Sequence, residues 1–459
     1  MPTEHSRLKE RNIVIHLVGQ PHKVRSSKTS TQTLSSPFYL LKCGCVIIQR
    51  PMPKSTLDSS AIRNQFPSLK RKHNSHPMVF LDGPGGTQVP KSVIDAMVNY
   101  YSTSNANSHG AFVTAMETDA TIHGMREAMA AYLNAEGPEC ISIGQNMTTL
   151  NFSLARAMAR ILQPGDEVLI TKLDHEANRG PWLTLREAGI DVREVNLLPN
   201  GTLDYDDFKD KLNENTRLVA MGMSSNCIGT VNDFKLVRKL TYHYNAWLLL
   251  DAVHYAPHFA IDVQDIGCDF LLCSAYKFYG PHVGLLYSKP GTLDRIPTDR
   301  LRVAGQIAPE SIETGTLNHA AIAGVKAAVD FIATFGKGKT LRDKITTAFD
   351  NIGKHEFELA KYLYTKIKAL PGVTVVGHDF SKTTRTPTVS FTLKGKTPLE
   401  VCEHLAKKNI CAWDGHFYAI RAMESLGLLE KGGVTRLGIS IYNTKAEMDL
   451  VIGEIKKLI

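Results

Sequence analysis

The 459-residue chain lacks several features that mark common classes of protein. No stretch reaches the roughly 18 consecutive apolar residues that a membrane-spanning helix needs, and the nearest run, Phe38–Ile48, is interrupted by Lys42. Its eight cysteines are scattered, with no CxxC pair and no recurring spacing. This distribution argues against a disulfide framework or a zinc finger. It predicts reduced thiols in a cytosol-like compartment and no membrane partner.

The net charge of the chain is +8, but most of the chain has no excess of basic residues. Residues 1–77 contain 13 Lys or Arg and three acids, whereas residues 78–459 contain 40 basic and 42 acidic residues. The excess positive charge therefore lies at the N-terminal end. A nearly neutral body argues against a nucleic-acid-binding face, so no nucleic-acid partner is expected.

Residues 1–51 are rich in Ser, Thr, Lys and Arg and show no sustained hydrophobic period. We expect an unstructured basic extension there, with Met52 as a natural start, because a capped helical pattern follows from Ser60. The basic character partly resembles a mitochondrial transit peptide, although Glu4 and Glu10 count against that interpretation. The expected location is the cytoplasm, or the mitochondrion if residues 1–51 are a transit peptide.

From Val79 onward, short apolar strands alternate with helical segments. This alternation predicts an α/β fold with a mostly parallel sheet covered by helices on both faces. The pattern includes helices over Thr118–Asn134 and Gly180–Ala188 and a strand over Val434–Ile441. After about residue 320 it changes to a smaller α/β unit. We expect a segment over 52–95 that joins the small domain, a large domain over 96–335 and a small C-terminal domain over 336–459.

A lysine that closely follows an apolar strand, in Ser274-Ala-Tyr-Lys277, is the sharpest local signal. In open α/β sheets, ligands bind at the carboxyl ends of the strands. A partly deprotonated lysine there can form a Schiff base with an aldehyde cofactor. Asp251 ends the preceding apolar strand, and an acid in that place can pair with a protonated pyridine nitrogen. Together the two residues form the arrangement found in pyridoxal 5′-phosphate enzymes.

Other loops at strand ends carry the further groups that this cofactor needs. Met147 and Thr148 lie where a strand passes into a helix, and such a helix N-terminus offers backbone amides and hydroxyls to a phosphate. Ser274 and Tyr276 can add hydroxyl groups. The ring would be contacted from three more loops, by His175 above it, Asn226 at its hydroxyl and His254 at its edge.

In this order the motifs resemble the class V aminotransferase family of fold-type I pyridoxal-phosphate enzymes, in its cysteine-desulfurase-like branch. The resemblance runs from about Ile62 to the end of the chain. Its markers are Leu81-Asp-Gly-Pro-Gly-Gly86, Asp174-His-Glu-Ala-Asn178, Ser225-Asn-x-x-Gly-Thr230, Asp251-Ala-Val-His254, Ser274-Ala-Tyr-Lys277, Glu313-Thr-Gly-Thr-Leu-Asn318, and Arg436 ahead of Tyr442-Asn-Thr444.

The resemblance implies a large domain with a mostly parallel seven-stranded sheet and a smaller C-terminal α/β domain. It implies pyridoxal 5′-phosphate as the cofactor, no metal, and a homodimer with shared active sites in which Thr316 reaches the phosphate of the neighbouring subunit. Arg436 would grip the substrate carboxylate, which suits a planar guanidinium. The implied cofactor-binding residues are Met147, Thr148, His175, Asn226, Asp251, His254, Ser274, Tyr276, Lys277 and Thr316.

Two positions depart from the desulfurase pattern. Desulfurases of this branch have a catalytic cysteine in a mobile segment before the strand that carries the carboxylate-binding arginine, and Tyr418 stands at that position here. We interpret Cys411 as packed core and expect the side chain of Cys227 to point away from Asn226. The second departure is His254, where desulfurases have glutamine, and both side chains can donate to the ring oxygen.

The expected function is pyridoxal-phosphate-dependent chemistry at the α-carbon of an amino acid. The preferred reaction is of the carbon–sulfur lyase or desulfurase type on a cysteine-like substrate, without the usual catalytic cysteine. Lys277 would act as the general base, with His175 and Tyr418 beside it, Tyr418 supplying a proton or closing the pocket. An aminotransferase, an amino-acid epimerase and a catalytically silent cofactor-binding relative stay open as alternatives.

Two other classes of protein are disfavoured by residue spacing. A metal hydrolase built on His254 and His258 would have Pro257 between its ligands, and no HExxH motif is present. A nucleotide-binding loop at Gly83–Gly86 would lack both the GxGxxG and the GK[ST] patterns and contains Pro84. That glycine run is more typical of a turn beside a substrate channel.

Overall fold

A seven-stranded sheet and a four-stranded sheet organise the chain. The structure, a computed structural model, describes residues 57–381 and 384–459. The predictions made for residues 1–51, for Met52 and for the apolar run Phe38–Ile48 lie outside these residues. Among the described residues, no helix is both long enough and apolar enough to cross a membrane.

The strands of the described residues are short, as the sequence pattern indicates. They are β1 (Lys72–His73), β2 (His76–Pro77), β3 (Val79–Phe80), β4 (Ile141–Gly144), β5 (Glu167–Thr171), β6 (Asp191–Val195), β7 (Thr216–Gly222), β8 (Trp247–Asp251), β9 (Phe270–Ser274), β10 (Gly284–Ser288), β11 (Val373–Val376), β12 (Thr388–Leu393), β13 (Ile410–Cys411), β14 (Trp413–Gly415) and β15 (Val434–Gly438).

The α-helices lie mainly between these strands and at the C-terminal end. They are α1 (Ser59–Asn64), α2 (Lys91–Thr103), α3 (Val113–Leu133), α4 (Met147–Met158), α5 (Gly180–Leu183), α6 (Tyr205–Lys211), α7 (Phe234–His243), α8 (Val263–Ile266), α9 (His319–Ala333), α10 (Leu341–Lys368), α11 (Pro398–Ala406), α12 (Ile420–Ser425) and α13 (Lys445–Lys456).

The large sheet has the strand order β4-β10-β9-β8-β7-β5-β6. Strands β9, β8, β7, β5 and β6 pair in parallel, whereas β10 pairs antiparallel with both β4 and β9. The small sheet, β11-β12-β15-β14, is antiparallel throughout. The expected mostly parallel seven-stranded sheet with a smaller C-terminal sheet is therefore confirmed.

The large sheet is buried on both faces because its strands are apolar at consecutive positions. In β5, Leu169 packs into one core cluster while Val168 and Ile170 pack into another. In β8, Leu249 shares the second cluster, whereas Leu248 and Leu250 face the first. Successive side chains of a strand point to opposite faces, so helices cover both sides of the sheet. A third cluster lies around the small sheet.

Several predicted element limits are wrong by a few residues. The helix predicted from Thr118 begins at Val113, and the strand predicted to Ile441 ends at Gly438. The helix predicted over Gly180–Ala188 is α5 followed by a 3-10 turn over Thr184–Ala188. Gly189 ends that turn in a left-handed conformation, φ 79°, which favours glycine. The predicted domain limits stay a prediction; the described residues all belong to one compact unit.

Candidate active site

A cavity of about 480 Å³ opens beside the carboxyl ends of the parallel strands. This is the place where open α/β sheets bind ligands, because the loops that leave neighbouring strands meet there. Of the twelve residues that the sequence singles out, eleven line it: Met147, Thr148, His175, Asn226, Asp251, His254, Ser274, Tyr276, Lys277, Tyr418 and Arg436. Their predicted roles toward a cofactor and a substrate stay predictions, whereas their common location is a feature of the fold.

Lys277 is a buried lysine that forms no ion pair with a described residue. Its side chain is 9% exposed, and its amine donates to the carbonyl of Pro84 in the turn that follows β3. Burial lowers its pKa to about 7, the charge of Arg436 acts in the same direction, and Asp251 and Asp82 oppose the shift. Near neutral pH a large share of this amine is therefore uncharged and nucleophilic.

Asp251 ends β8, next to β9, whose final residue precedes the Lys277 turn. Its Oδ1 accepts from the backbone N–H of Val253 at 2.9 Å. Burial raises the pKa of this carboxyl to about 6, while that hydrogen bond and the charge of Lys277 lower it. A carboxylate so poorly solvated gains strongly from a cationic partner in the cavity.

The N-terminus of α4 forms one end of the cavity. Asn146 caps the helix by accepting from Thr149 N at 2.9 Å, and Met147 N donates to the Ser274 hydroxyl at 3.2 Å. The N–H of Thr148 has no acceptor inside the helix because it lies in the first turn. This end of the cavity therefore suits an anionic group such as a phosphate.

Gly284 in β10 allows that helix start to lie against the sheet. A Cβ atom at this position would sit 2.2 Å from the backbone carbon of Asn146. Such an overlap with backbone atoms cannot be relieved by a side-chain rotation. The close approach of β10 to the helix cap therefore requires glycine there.

His175 lies on the loop after β5, and its ring lines the cavity. Its Nδ1 accepts from Ala177 N at 3.0 Å, which fixes the ring. Burial and, to a lesser extent, the charges of Lys277 and Arg436 lower its pKa to about 4. The imidazole is therefore neutral at pH 7 and presents a flat, uncharged face.

Arg436 lies on β15 and is 3% exposed. Its Nη1 donates to the carbonyl of Asn226 at 2.9 Å, its Nε has no partner among the described residues, and its guanidinium lies 3.9 Å from the centre of the Phe417 ring. Burial lowers its pKa to about 10. A buried guanidinium that forms no ion pair with a described residue is ready to bind a carboxylate.

Asn226 and His254 are held by neighbours that the sequence did not indicate. Asn226 Nδ2 donates to the carbonyl of Phe417 at 2.9 Å, and its Oδ1 is buried without a partner among the described residues. His254 Nε2 lies 3.0 Å from the hydroxyls of both Thr386 and Thr388. Burial holds the pKa of His254 well below its usual value, so this ring is neutral.

Tyr418 belongs to a segment, Trp413–Tyr418, that forms the outer wall of the cavity. Its ring centre lies 5.3 Å from that of His175, and its carbonyl accepts from Glu176 N at 2.7 Å. Tyr418 and Phe417 both have left-handed backbone, with φ of 58° and 51°. Because such a conformation is strained for these residues, contacts on both sides must hold the segment in place.

Thr316 does not line this cavity. It lies with Tyr100, Asn107 and His319 in a separate depression of about 320 Å³. Thr316 is therefore not placed to contact a group bound near Lys277 of the same chain. The prediction that it serves a neighbouring subunit is untouched by this placement.

The cysteines of the described residues lie outside the cavity wall. Cys227 is 0% exposed, its Sγ lies 3.1 Å from the Ser225 hydroxyl, and burial raises its pKa to about 11. Cys411 is half-buried and packs against the largest core cluster, in line with its interpretation as packed core; burial raises its pKa to about 11. Neither thiol is readily ionised near pH 7.

Sequence reasoning missed two acids beside the site, the half-buried Asp82 and the buried Asp174. Asp82, in the turn that also supplies Pro84, has a pKa that desolvation raises to about 6 and an Oδ1 without a partner among the described residues. Asp174 accepts from Gly222 N at 2.7 Å, and burial raises its pKa to about 7. Both stand inside recognisable motifs, but only the folded chain shows how far each is shielded from solvent.

The residues of the cavity fit pyridoxal phosphate. They offer a half-charged lysine, a buried carboxylate on the neighbouring strand, a helix N-terminus with adjacent hydroxyls, and a neutral aromatic ring. Within the part of the chain that the structure describes, no group of three or more His, Cys, Asp or Glu side chains could hold a metal ion. His258, considered above as a metal ligand, instead bonds Glu356 at 2.8 Å.

The family model for class-V aminotransferases matches residues 79–451 of this chain. The aminotransferase-like protein FGM3 of Gibberella zeae is 32% identical over 420 residues, which is 87% of this chain and 98% of the relative. A probable cysteine desulfurase of Halalkalibacterium halodurans is 30% identical over 419 residues, with the same shares of the two chains, 87% and 98%.

Solved structures show the same fold. The cysteine desulfurase CsdA of Escherichia coli superposes with a TM-score of 0.76 at 25% identity, over 87% of this chain and 98% of that one. The apo cysteine desulfurase of Thermococcus onnurineus superposes with a TM-score of 0.77 at 24% identity, over 88% and 99%.

Proposed function

The chain belongs to the class-V aminotransferase family and is cysteine-desulfurase-like, and from that premise we propose a pyridoxal 5′-phosphate-dependent enzyme that acts at the α-carbon of an amino acid. The preferred reaction is a carbon–sulfur lyase reaction on a cysteine-like substrate. One observation carries the proposal: the buried amine of Lys277, whose pKa is lowered to about 7, shares a cavity with Asp251 on the neighbouring strand and with Arg436. The Nε of that arginine has no partner among the described residues.

The cofactor would be held by groups that come from five loops. Lys277 would bind its aldehyde carbon, Asp251 its ring nitrogen and Asn226 its ring hydroxyl, while His175 covers one face of the ring. Thr148, Ser274 and Tyr276 would bind the phosphate at the α4 N-terminus, beside Met147. Pyridoxal phosphate, when bound, withdraws electrons from the α-carbon of the amino acid and makes its proton acidic.

Arg436 and Lys277 would act on the substrate directly. The guanidinium binds the α-carboxylate through two parallel hydrogen bonds, which orients the α-proton. Once its amine is free and uncharged, Lys277 Nζ accepts that proton; a pKa near 7 suits a base that must also return it. The neutral rings of His175 and His254 exclude water without adding charge.

No cysteine lines the described wall of the cavity, so we propose that the sulfur leaves as a thiol and is not transferred to an enzyme cysteine. The bond between Cβ and sulfur breaks with its electron pair on sulfur, which takes up a proton and leaves as a thiol together with its substituent. The remaining 2-aminoacrylate adds water and gives pyruvate and ammonia. The sum is S-substituted cysteine plus water to thiol, pyruvate and ammonium, and no oxidant or sulfur acceptor is needed.

A homodimer with shared active sites forms part of the proposal. Thr316 lies in the depression beside Tyr100 and His319, away from the Lys277 cavity of its own chain. Tyr101 at this depression and Val98 one turn earlier on α2 are 60% and 58% exposed. An exposed apolar helix face next to Thr316 supports a second subunit docked there.

Reconstitution followed by an amino-acid panel tests the proposal. The protein mixed with pyridoxal phosphate and desalted should retain a visible absorbance band, and Lys277→Ala should abolish it. S-substituted cysteines should yield pyruvate and a free thiol. A keto acid that keeps its sulfur would indicate an aminotransferase, a D-amino acid an epimerase, and absorbance without any turnover a silent relative. An unchanged spectrum in Lys277→Ala would refute the cofactor assignment.

A further inference from the structure

The outer wall of the cavity is unusually rich in rings. Within the six residues Trp413–Tyr418, four carry ring side chains: Trp413, His416, Phe417 and Tyr418. Trp413 is 53% exposed and Tyr418 65% exposed. Large aromatic side chains that stay exposed at the mouth of a buried cavity mark a surface prepared for a ligand.

The segment is fixed in place by its backbone. The carbonyl of Tyr418 accepts from Glu176 N at 2.7 Å, and the carbonyl of Phe417 accepts from Asn226 Nδ2 at 2.9 Å. Its other end is strand β14, paired with β15. The backbone of the segment that carries the rings is therefore held by hydrogen bonds to the loops of His175 and Asn226.

The wall also lies directly beside the carboxylate site. Trp413 pairs with Arg436 in the antiparallel register of β14 and β15. Residues directly opposite each other in such a pair place their side chains on the same face of the sheet, within contact distance. An amino acid whose carboxylate binds Arg436 would therefore lie next to Trp413.

Only two of the four rings have large free faces. Phe417 covers the guanidinium of Arg436, 3.9 Å from its ring centre. The His416 ring is held by the backbone, since its Nδ1 accepts a hydrogen bond from Tyr418 N at 3.1 Å. Trp413 and Tyr418 are left with exposed surface around the mouth of the cavity.

We infer that the substrate is a cysteine whose sulfur carries a substituent with a flat aromatic ring, and that Trp413 and Tyr418 bind this ring. The inference rests on the proposed lyase function, in which the sulfur leaves together with its substituent. That substituent must occupy the outer half of the cavity, and aromatic rings prefer aromatic partners in offset or edge-to-face contact.

The test compares S-benzyl-L-cysteine with S-methyl-L-cysteine on the cofactor-loaded enzyme. Dissociation constants come from titrations of the visible absorbance, and kcat/KM from thiol release. Two ring contacts predict that the benzyl compound binds roughly fivefold to a hundredfold more tightly than the methyl compound. Trp413→Ala and Tyr418→Ala should each reduce the ratio of the two dissociation constants. The ratio is the readout, because a general loss of turnover in Tyr418→Ala would affect both compounds alike.

Matched variants separate ring contact from general damage. Trp413→Phe keeps a ring and should keep most of the preference. Tyr242→Ala removes another exposed tyrosine, 75% exposed on α7 and outside the cavity wall, and should change nothing. Each variant must retain the visible absorbance and the melting temperature of the parent, which shows that it is folded and loaded.

The outcomes distinguish this inference from the function on which it rests. Equal affinity for the two compounds in a loaded, active enzyme would overturn the aromatic-substituent inference and leave the lyase function standing. Failure of the protein to acquire visible absorbance would overturn the function itself. A preference lost only because Trp413→Ala or Tyr418→Ala dissociates a dimer would assign the rings to a subunit contact and would also overturn the inference.

Discussion

The inner and outer halves of the cavity are built on opposite principles. The inner half lies at the ends of β8 and β9, where Lys277 and Asp251 are buried and burial shifts their pKa values toward neutrality. The outer half is the segment Trp413–Tyr418, where two large rings stay exposed. The inner half therefore holds ionisable groups that are shielded from solvent, whereas the outer half holds aromatic side chains that are exposed to it.

This difference separates the two tasks of the site. A parallel sheet places neighbouring strand ends at one edge, so an inner half built on it is rigid and suits a cofactor common to a whole family. A short edge strand and the turn after it can change sequence without disturbing the sheet. The position at which the family resemblance leads one to expect a catalytic cysteine lies in that segment, and Tyr418 occupies this position in the present chain. We therefore assign reaction chemistry to the inner half and substrate choice to the outer half.

Removing the inner lysine should have the largest effect. Lys277→Ala takes away the proposed base, and general-base catalysis contributes on the order of a hundredfold to ten-thousandfold, so thiol release should fall by at least about a hundredfold. Steady-state assays with S-substituted cysteine measure this. Lys289→Ala, an exposed lysine after β10, is the matched control and should behave like the parent. Full activity in Lys277→Ala would contradict the proposal that the inner half carries out the reaction.

Arg436 lies where the two halves meet, and its replacement should affect binding more than turnover. Arg436→Lys keeps the charge but loses the paired hydrogen bonds. A hydrogen bond to a charged group contributes about 1.5–3 kcal/mol, which predicts a roughly tenfold to hundredfold increase in KM. Saturation kinetics separate KM from kcat. A large fall in kcat at unchanged KM would place Arg436 in the chemical step instead.

The pH dependence of cofactor capture should report the buried lysine. Only the uncharged amine attacks an aldehyde, and the pKa of Lys277 is lowered to about 7. The capture rate of cofactor-free protein should therefore rise about tenfold per pH unit below 7 and level off above about 8. Stopped-flow absorbance follows it. Since Arg436 also lowers this pKa, Arg436→Met should move the midpoint to higher pH. A rise that continues to pH 10 would contradict the buried amine.

The smallest expected effect is a null result at two cysteines outside the cavity wall. Incubation of the loaded enzyme with cysteine should leave no persulfide on Cys227 or Cys411, because both thiols have a pKa raised to about 11 and neither lines the cavity. Intact-protein and peptide mass spectrometry detect the added sulfur. A stable persulfide on either cysteine would show that Tyr418 has not replaced a thiol-based mechanism.

The inner half could be predicted from the sequence because its signals are local. Lys277 and Asp251 each follow an apolar strand, and strand ends of a parallel sheet converge whatever the loops do. In the outer half only Tyr418 was indicated, through the family resemblance, because the rest depends on pairing between distant segments. Strand β14 was missed, and with it the register that puts Trp413 beside Arg436. The partial burial of Asp82 and the contact of Asn226 with Phe417 likewise follow from tertiary packing.

The identity of the cofactor-binding lysine is the central claim to test. The protein loaded with pyridoxal phosphate can be reduced with borohydride, which makes the lysine–cofactor bond permanent, and then digested and mapped by peptide mass spectrometry. We expect one modified peptide, carrying the reduced cofactor on Lys277. Modification of a different lysine, or of none after the protein has been shown to be folded, would contradict this claim.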